Sequence, residues 1–402
     1  MEKLVPRLTE RPSIDAILER HFGFRSFRPH QREIVESLLD GRDVVALLPT
    51  GGGKSLCYQL PAIARDGLTV VVSPLIALMK DQVDSLEQLG VAATFLNSSL
   101  APDQYNERWR DLARGAYKIL YLAPERLITE EMLQVLAEWN VGLIAIDEAH
   151  CISEWGHDFR REYRELAVLR KRFPNVPLVA LTATATARVR DDIVSILQLK
   201  EPSVHVASFN RPNLSYRVIP RTAPLDQIMA VISEHKGASG IVYCMTRKRT
   251  EELEAALTGR GVSARAYHAG LDANERAARQ ELFLKDQIEV MVATIAFGMG
   301  IHKPDVRFVI HHDLPKNIES YYQETGRAGR DGLPSECVLL YNPSDAGRLH
   351  NFIDAITNEQ EKSVARKHLL KLTQFCESAA CRRVQLLQYF GETYQTTDGE
   401  EA

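Results

Sequence analysis

The sequence predicts an α/β protein with two parallel-sheet domains in tandem and a C-terminal helical tail. Three observations predict it. Short apolar runs recur about every 25 to 35 residues, separated by segments of helical period, the rhythm of parallel strands joined by crossover helices. That rhythm runs twice, broken once by a stretch rich in Pro, Asn and Ser. After the second run it gives way to helical periodicity alone.

In the first half the strand runs are "DVVALLP", "LTVVVSP", "KILYLAP", "VGLIAID" and "PLVALTA"; in the second they are "SGIVYCM", "SARAYHA", "EVMVATI", "VRFVIHH" and "CVLLYN". Between them "SFNRPNLSYRVIPRTAP" reads as a connection rather than a core element. The domains are therefore placed at 1–207 and 208–342, with the tail at 343–402. The closing "GETYQTTDGEEA" reads as solvated, and no short-period repeat occurs.

A chain of 402 residues, 45% of them hydrophobic, suits two domains. The net charge of −4 gives no global reason to bind nucleic acid, so any such surface must be local. Six cysteines lie scattered, mostly in apolar runs, and read as buried thiols of a reducing compartment. The N-terminal stretch has no apolar signal core, and no apolar run is long enough to span a bilayer. A cytoplasmic protein with no membrane contact is expected, and a monomer.

The first chemistry lies in "DVVALLPTGGGKSLCYQL", a strand, a glycine-rich turn and a helix. Thr50, Gly51, Gly52 and Gly53 let backbone amides curl around oxyanions, and the helix that follows directs its positive end at the same point. Lys54 would bridge terminal phosphates and Ser55 would ligate Mg²⁺. Leu48 stands where the usual spacing has its first Gly. "LIAIDEAH" supplies the second half: Asp147 to hold Mg²⁺ through water and Glu148 to polarise an attacking water, at the carboxyl edge of the sheet. Either motif alone is ordinary turn chemistry; the acidic pair combined with Lys54 points to a hydrolase.

With these in place the chain resembles the second helicase superfamily, and most closely the RecQ family of DNA helicases. The resemblance covers nearly the whole chain and rests on "FGFRSFRPHQREIV", "VVSPLIALMKDQVDSL", "YLAPERL", "IDEAHCISEWGHDFRREY", "ALTATAT", "YHAGL", "VATIAFGMGIHKPDVRFVIHHDLP" and "SYYQETGRAGRDG". It implies two RecA-like domains with an ATP cleft between them. Gln31 would pair with the adenine edge, with Phe24 and Arg28 sandwiching the ring; the ordinary alternative is a capped helix start. His30 stands where many relatives have Gly.

In "QETGRAGR" the spacing puts Gln323, Arg327 and Arg330 on one helix face, which is most often a solvated basic face. The resemblance points both arginines across the cleft at the γ-phosphate, with Arg330 as the arginine finger. His150 would sense that phosphate through Gln323 or a neighbour, and Ala183 in "LTATAT" lies in the segment that links nucleotide state to domain movement.

Single-stranded DNA would lie across the same cleft, held by Ser73, Lys80, Arg126, Arg247, His268 and Thr294. Trp155, His157, Phe159 and Arg160 form the aromatic-rich loop that the family places against that strand; the alternative makes the aromatics core residues at a helix start. The resemblance implies an ATP-dependent helicase of 3′ to 5′ polarity acting on single-stranded and tailed or forked duplex DNA, in repair or recombination. An RNA-dependent ATPase and an ATP-gated nucleic-acid clamp without unwinding stay open beside it.

Relatives commonly follow the second domain with a zinc module. Here Cys381 in "CRRVQLLQYFGE" matches its first ligand, but neither Cys nor His occurs between 382 and 402. Two thiols do not complete a four-ligand site, so an incomplete module without zinc is expected.

Overall fold

The computed structural model describes residues 13–74, 76–156, 158–298 and 303–395. Two parallel sheets dominate it. The first contains β1 (Val44–Leu47), β2 (Leu68–Val72), β3 (Ala93–Leu96), β4 (Ile119–Leu122), β5 (Val141–Ile146), β6 (Leu178–Thr182) and β7 (Ser203–Val206), in the order β3-β4-β2-β5-β6-β1-β7. The second contains β8 (Leu214–Pro220), β9 (Ser239–Tyr243), β10 (Ala264–Tyr267), β11 (Val290–Ala293), β12 (Val306–His311) and β13 (Ser335–Tyr341), in the order β10-β11-β9-β12-β13-β8.

Helices cover both faces of each sheet, which is why the strands read as unbroken apolar runs. Alternate residues serve opposite cores: Val45 and Leu47 join one cluster, Val44, Ala46 and Leu48 the other. Among the described residues no helix is long and apolar enough to cross a membrane.

Three strands escape the sequence reading: β3, β7 and β8. All three are sheet edges. β8 lies inside the stretch taken for a connection, which is thus corrected to a strand paired with β13 along its whole length. Its burial alternates from buried Leu214 to exposed Ser215, and it ends on Pro220. An edge strand buries one face and bonds on one side, so it tolerates polar residues and a terminal proline that a central strand would reject.

The tail forms helices Ser344–Asp354, Glu359–Glu377 and Arg382–Tyr389. Leu369, Leu372 and Phe375 pack with Leu314, Ile318 and Tyr321 of the second domain, whereas Leu387 and Phe390 join the core of the first. The tail therefore touches both domains. His157 and the closing residues 396–402 lie outside the described residues.

Candidate active site

The loop after β1 is shaped by glycine. Gly51 (φ 80°) and Gly53 (φ 77°) hold left-handed backbone, and a Cβ on Gly53 would overlap the Gln31 amide nitrogen. Lys54 Nζ donates to the Leu48 carbonyl at 3.3 Å, and Ser55 caps the helix Leu56–Ala64. β5 delivers Asp147 and Glu148 opposite this loop. Tyr163 donates its hydroxyl to the Asp147 carbonyl at 2.9 Å, while Glu148 takes φ 49°, a costly value for a residue with a Cβ.

Lys54, Ser55, Asp147 and Glu148 line a cavity of about 210 Å³ together with Gln323, Arg327 and Arg330 from the second domain. Thr50, Gly51, Gly53, Leu78, Gln82 and Ala183 add to its wall. The one-face helical argument for the three second-domain residues needs correcting. The helix is Ile318–Thr325 and stops at Gly326, so Arg327 and Arg330 stand on the turn that follows. Gly329 (φ 53°) folds that turn back into the cavity.

Charge in the cavity is unbalanced in two places. Burial, then Arg327 and Arg211, push the Arg330 guanidinium down to about 9, against the pull of Tyr243. Arg327 Nε is buried without a hydrogen bond. Burial and the Glu148 carboxylate push Asp147 up to about 7, opposed by Lys54. A polyanion beside the arginines and a divalent cation beside the carboxylates each relieve one of these, so the residues present fit Mg²⁺-ATP.

His150 does not meet Gln323. Its Nδ1 contacts Thr182 Oγ1 at 2.9 Å and Glu148 Oε2 at 3.3 Å. Thr182 Oγ1 donates to the Thr184 carbonyl (3.1 Å), and Gln323 Nε2 donates to Thr184 Oγ1 (3.3 Å). The connection across the cleft thus runs His150, Thr182, Thr184, Gln323. Burial lowers the His150 imidazole, but the Cys151 sulfur and the Glu148 carboxylate reverse this and raise it to about 10.

The adenine-side candidates are engaged within the chain. Gln31 is buried and its amide is spent on the chain: Nε2 donates to the carbonyls of Gly52 (3.3 Å) and Gly53 (3.1 Å), and Oε1 accepts from Arg28 N (2.9 Å). Arg28 donates its guanidinium to the Gly51 carbonyl. Phe24 is 54% exposed and lies outside the cavity wall. His30 occupies left-handed backbone at φ 66°, the conformation that glycine adopts without strain.

Among the strand-holding candidates, Ser73 and His268 are buried, His268 with Nε2 3.0 Å from Glu251. Such burial leaves little of either side chain for a phosphate. Lys80 is exposed and paired with Asp84 at 2.9 Å; Arg126 donates to the Tyr105 hydroxyl at 2.7 Å. Arg247 begins a helix with its side chain beside Gly270, and Thr294 Oγ1 accepts from Ala296 N at 3.4 Å. Arg160 donates to Asp158 and to the Pro74 carbonyl. Phe159 is half-buried, and Trp155 packs on the first core with Arg188 3.5 Å and Lys367 5.1 Å from its ring centroid. Both readings of the loop keep some support: the indole is anchored, but its cover is two cations.

Sequence reasoning missed Arg211, Arg188, Lys367 and Arg383. "FNRPNL" reads locally as a linker, and nothing local distinguishes an arginine that bridges domains from one in solvent.

Among the described residues, Cys244, His312 and Asp313 bring potential metal-ligand atoms within 4.8 Å of one another. The Asp313 carboxylate is already engaged by Arg221 (3.0 Å) and Met245 N (3.0 Å), which argues for structure rather than metal.

Three family models match in chain order: DEAD/DEAH box helicase at 28–193, helicase conserved C-terminal domain at 223–332, and RecQ zinc-binding at 343–400. The last counts against the expectation that the tail is an incomplete zinc module. The chain is 47% identical to the ATP-dependent DNA helicase RecQ of Pasteurella multocida over 379 residues, covering 94% of this chain and 60% of that protein. It is equally identical to the RecQ protein of Haemophilus influenzae, covering 98% and 64%. The chain thus spans about three fifths of the length of these relatives. Among solved structures, the DUF1998 helicase MrfA bound to DNA superposes with TM-score 0.69 at 20% identity, covering 96% of this chain and 61% of the other. The DEAD-box helicase Mss116 bound to single-stranded RNA gives 0.69 at 18%, covering 96% and 89%. These two show the fold: two RecA-like domains in tandem.

Proposed function

The chain belongs to the RecQ family of ATP-dependent DNA helicases, and from that premise we propose that it is a motor that hydrolyses ATP while moving 3′ to 5′ along single-stranded DNA and separating duplex. The observation that carries the reading is the cavity between the two sheets, where the glycine loop and acidic pair of one domain meet buried Arg327 and half-buried Arg330 of the other.

The roles follow from position and charge. Lys54 and the loop amides hold the phosphates. Ser55 directly and Asp147 through water would hold Mg²⁺, which when bound supplies positive charge over the phosphate oxygens. Glu148, beside Asp147, orients the attacking water and takes its proton. Arg327 and Arg330 neutralise charge developing on the γ-phosphate. Gln31 faces the adenine edge with a free lone pair on Oε1, and Arg28 stacks on the ring by its guanidinium face while its N–H groups stay on the loop.

Because the cavity has walls from both domains, phosphate occupancy favours their approach and product release their separation. The domain division at 207/208 is supported by the gap between β7 and β8, and the tail contacts both domains. Single-stranded DNA runs across the carboxyl ends of the two sheets, with exposed Lys80 and the Trp155 loop along its path. Tailed or forked duplex is the substrate class, repair or recombination the setting, and the acting form a cytoplasmic monomer.

The test is strand separation. Partial duplexes with a 3′ or a 5′ single-stranded tail are offered with ATP and Mg²⁺, and release from the 3′-tailed substrate is expected. Preference for the 5′ tail refutes the polarity; tight ATP-dependent binding without release points to a clamp; stronger ATPase stimulation by RNA than by DNA of equal length points to an RNA enzyme.

On zinc, the family match and the ligand count diverge. Cys376 is buried in the helix Glu359–Glu377 and Cys381 is exposed, and residues 382–402 add no thiol or imidazole. The match to the RecQ zinc-binding family at 343–400 leaves the expectation of no zinc unsupported, and metal analysis of the chain decides the matter.

A further inference from the structure

Residues 207–213 link the two sheets, and they are tied on three sides. Arg211 donates from Nη1 to the Thr50 carbonyl of the glycine loop (3.5 Å) and from Nη2 to the carbonyls of Ala328 (3.0 Å) and Gly329 (2.8 Å). One guanidinium thus joins the phosphate loop of the first domain to the turn carrying Arg327 and Arg330. Asn213 adds donors to the carbonyls of Gly329 and Leu333, each at 2.9 Å.

The third side is the tail. Arg383 donates to the Arg211 carbonyl (2.6 Å), to Asn210 Oδ1 (2.8 Å) and to the Leu214 carbonyl (2.6 Å). Phe390 stacks on Phe209 with centroids 4.5 Å apart, and Glu392 accepts from Phe209 N at 2.7 Å. Tyr322, on the helix that leads to the arginine turn, donates its hydroxyl to the Phe209 carbonyl at 2.8 Å.

Resting on the ATPase reading above, we infer that Arg211 is a positioning residue: it sets Arg327 and Arg330 against the phosphate loop, and the tail, through Arg383, holds the linker so that Arg211 reaches both domains. Its guanidinium is bound to carbonyl oxygens and does not line the cavity, so it acts through the arginine turn rather than on the phosphate. A lysine keeps the charge but cannot offer the planar fork that reaches carbonyls on two domains together.

The experiment measures DNA-stimulated ATP hydrolysis by the whole chain. Arg211→Ala should lower kcat on the order of tenfold to a hundredfold, as misplacement of a catalytic group does, while KM for ATP changes by no more than about threefold. Arg211→Lys should lose nearly as much and keep the wild-type Tm, so it serves even where the alanine variant folds poorly. Arg383→Ala should lower kcat in the same sense. Because Arg211 acts through the turn, adding Arg211→Ala to a variant that already carries Arg327→Ala and Arg330→Ala should slow it no further.

Unchanged kcat in Arg211→Ala overturns the inference. So does a loss that multiplies in full onto that of the Arg327→Ala, Arg330→Ala variant. A wild-type chain without ATP hydrolysis defeats the activity reading, and this role with it; that result is distinct from a wild-type rate that Arg211→Ala leaves untouched.

Discussion

The Nζ of Lys367 stands 5.1 Å from the ring centroid of Trp155, so a tail helix reaches over the first-domain loop that the sequence assigns to DNA. Gln360, on the same helix, donates to Glu154 at 2.6 Å. The loop is thus latched before any strand arrives. An indole that must shed this cation before stacking on a base binds DNA less readily than a free one. Lys367→Ala should therefore lower the DNA concentration for half-maximal ATPase stimulation by about two- to fivefold, the equivalent of a cation–π contact of about 0.5 to 1 kcal/mol. A raised half-point would mean that Lys367 itself binds DNA phosphate.

Trp155→Ala removes the stacking surface. Stimulation by DNA should weaken by about tenfold or more, since stacking contributes about 1 to 3 kcal/mol per base, while the ATPase rate without DNA stays near wild type. Loss of the basal rate together with a lower Tm would make Trp155 a core residue, as its packing on the first cluster allows.

Lys54→Ala takes the one ammonium from the cavity wall. ATP hydrolysis should fall at least about a hundredfold, the scale on which a single transition-state donor matters. A wild-type rate in steady-state phosphate release would defeat the assignment of this loop.

Asp147 carries a pH signature. Its folded pKa, pushed up to about 7 by burial and Glu148, exceeds that of an unfolded aspartate near 3.9. The folded state therefore binds more protons between these values, and the stabilisation this gives is full below the lower value and lost as pH rises through the higher one. In nucleotide-free protein, Asp147→Asn should raise Tm relative to wild type more at pH 8 than at pH 5. Equal offsets at both pH values, read by thermal denaturation, would contradict the shift.

Asp43 precedes β1 and staples the far end of the first sheet. Its carboxylate binds Arg170 and accepts from the amides of Leu178 (2.9 Å) and Lys200 (2.7 Å), and both charged side chains are buried. Asp43→Ala strands a buried guanidinium and two amides, which should cost about 3 to 5 kcal/mol in urea unfolding. A change below about 1 kcal/mol would show that water reaches the pair.

The sequence by itself determined the parallel α/β class, the order of the two domains, and the glycine loop and acidic pair at strand ends. These are written in local patterns: unbroken apolar runs where both faces of a strand are covered, and Gly, Lys and Ser where a strand turns into a helix. Tertiary structure decided what depends on partners far along the chain. β8 is a strand because β13 lies beside it, more than a hundred residues on, and its own half-buried pattern resembles a loop. Arg327 and Arg330 reach the cavity on a turn, since the helix ends at Gly326 and Gly329 folds the chain back. Gln31 is held by glycine-loop carbonyls, and the tail crosses from the second domain to the first through Leu387 and Phe390. A guanidinium carries the same five donors wherever it stands, so which carbonyls Arg211 joins is fixed by packing and not by its neighbours in sequence.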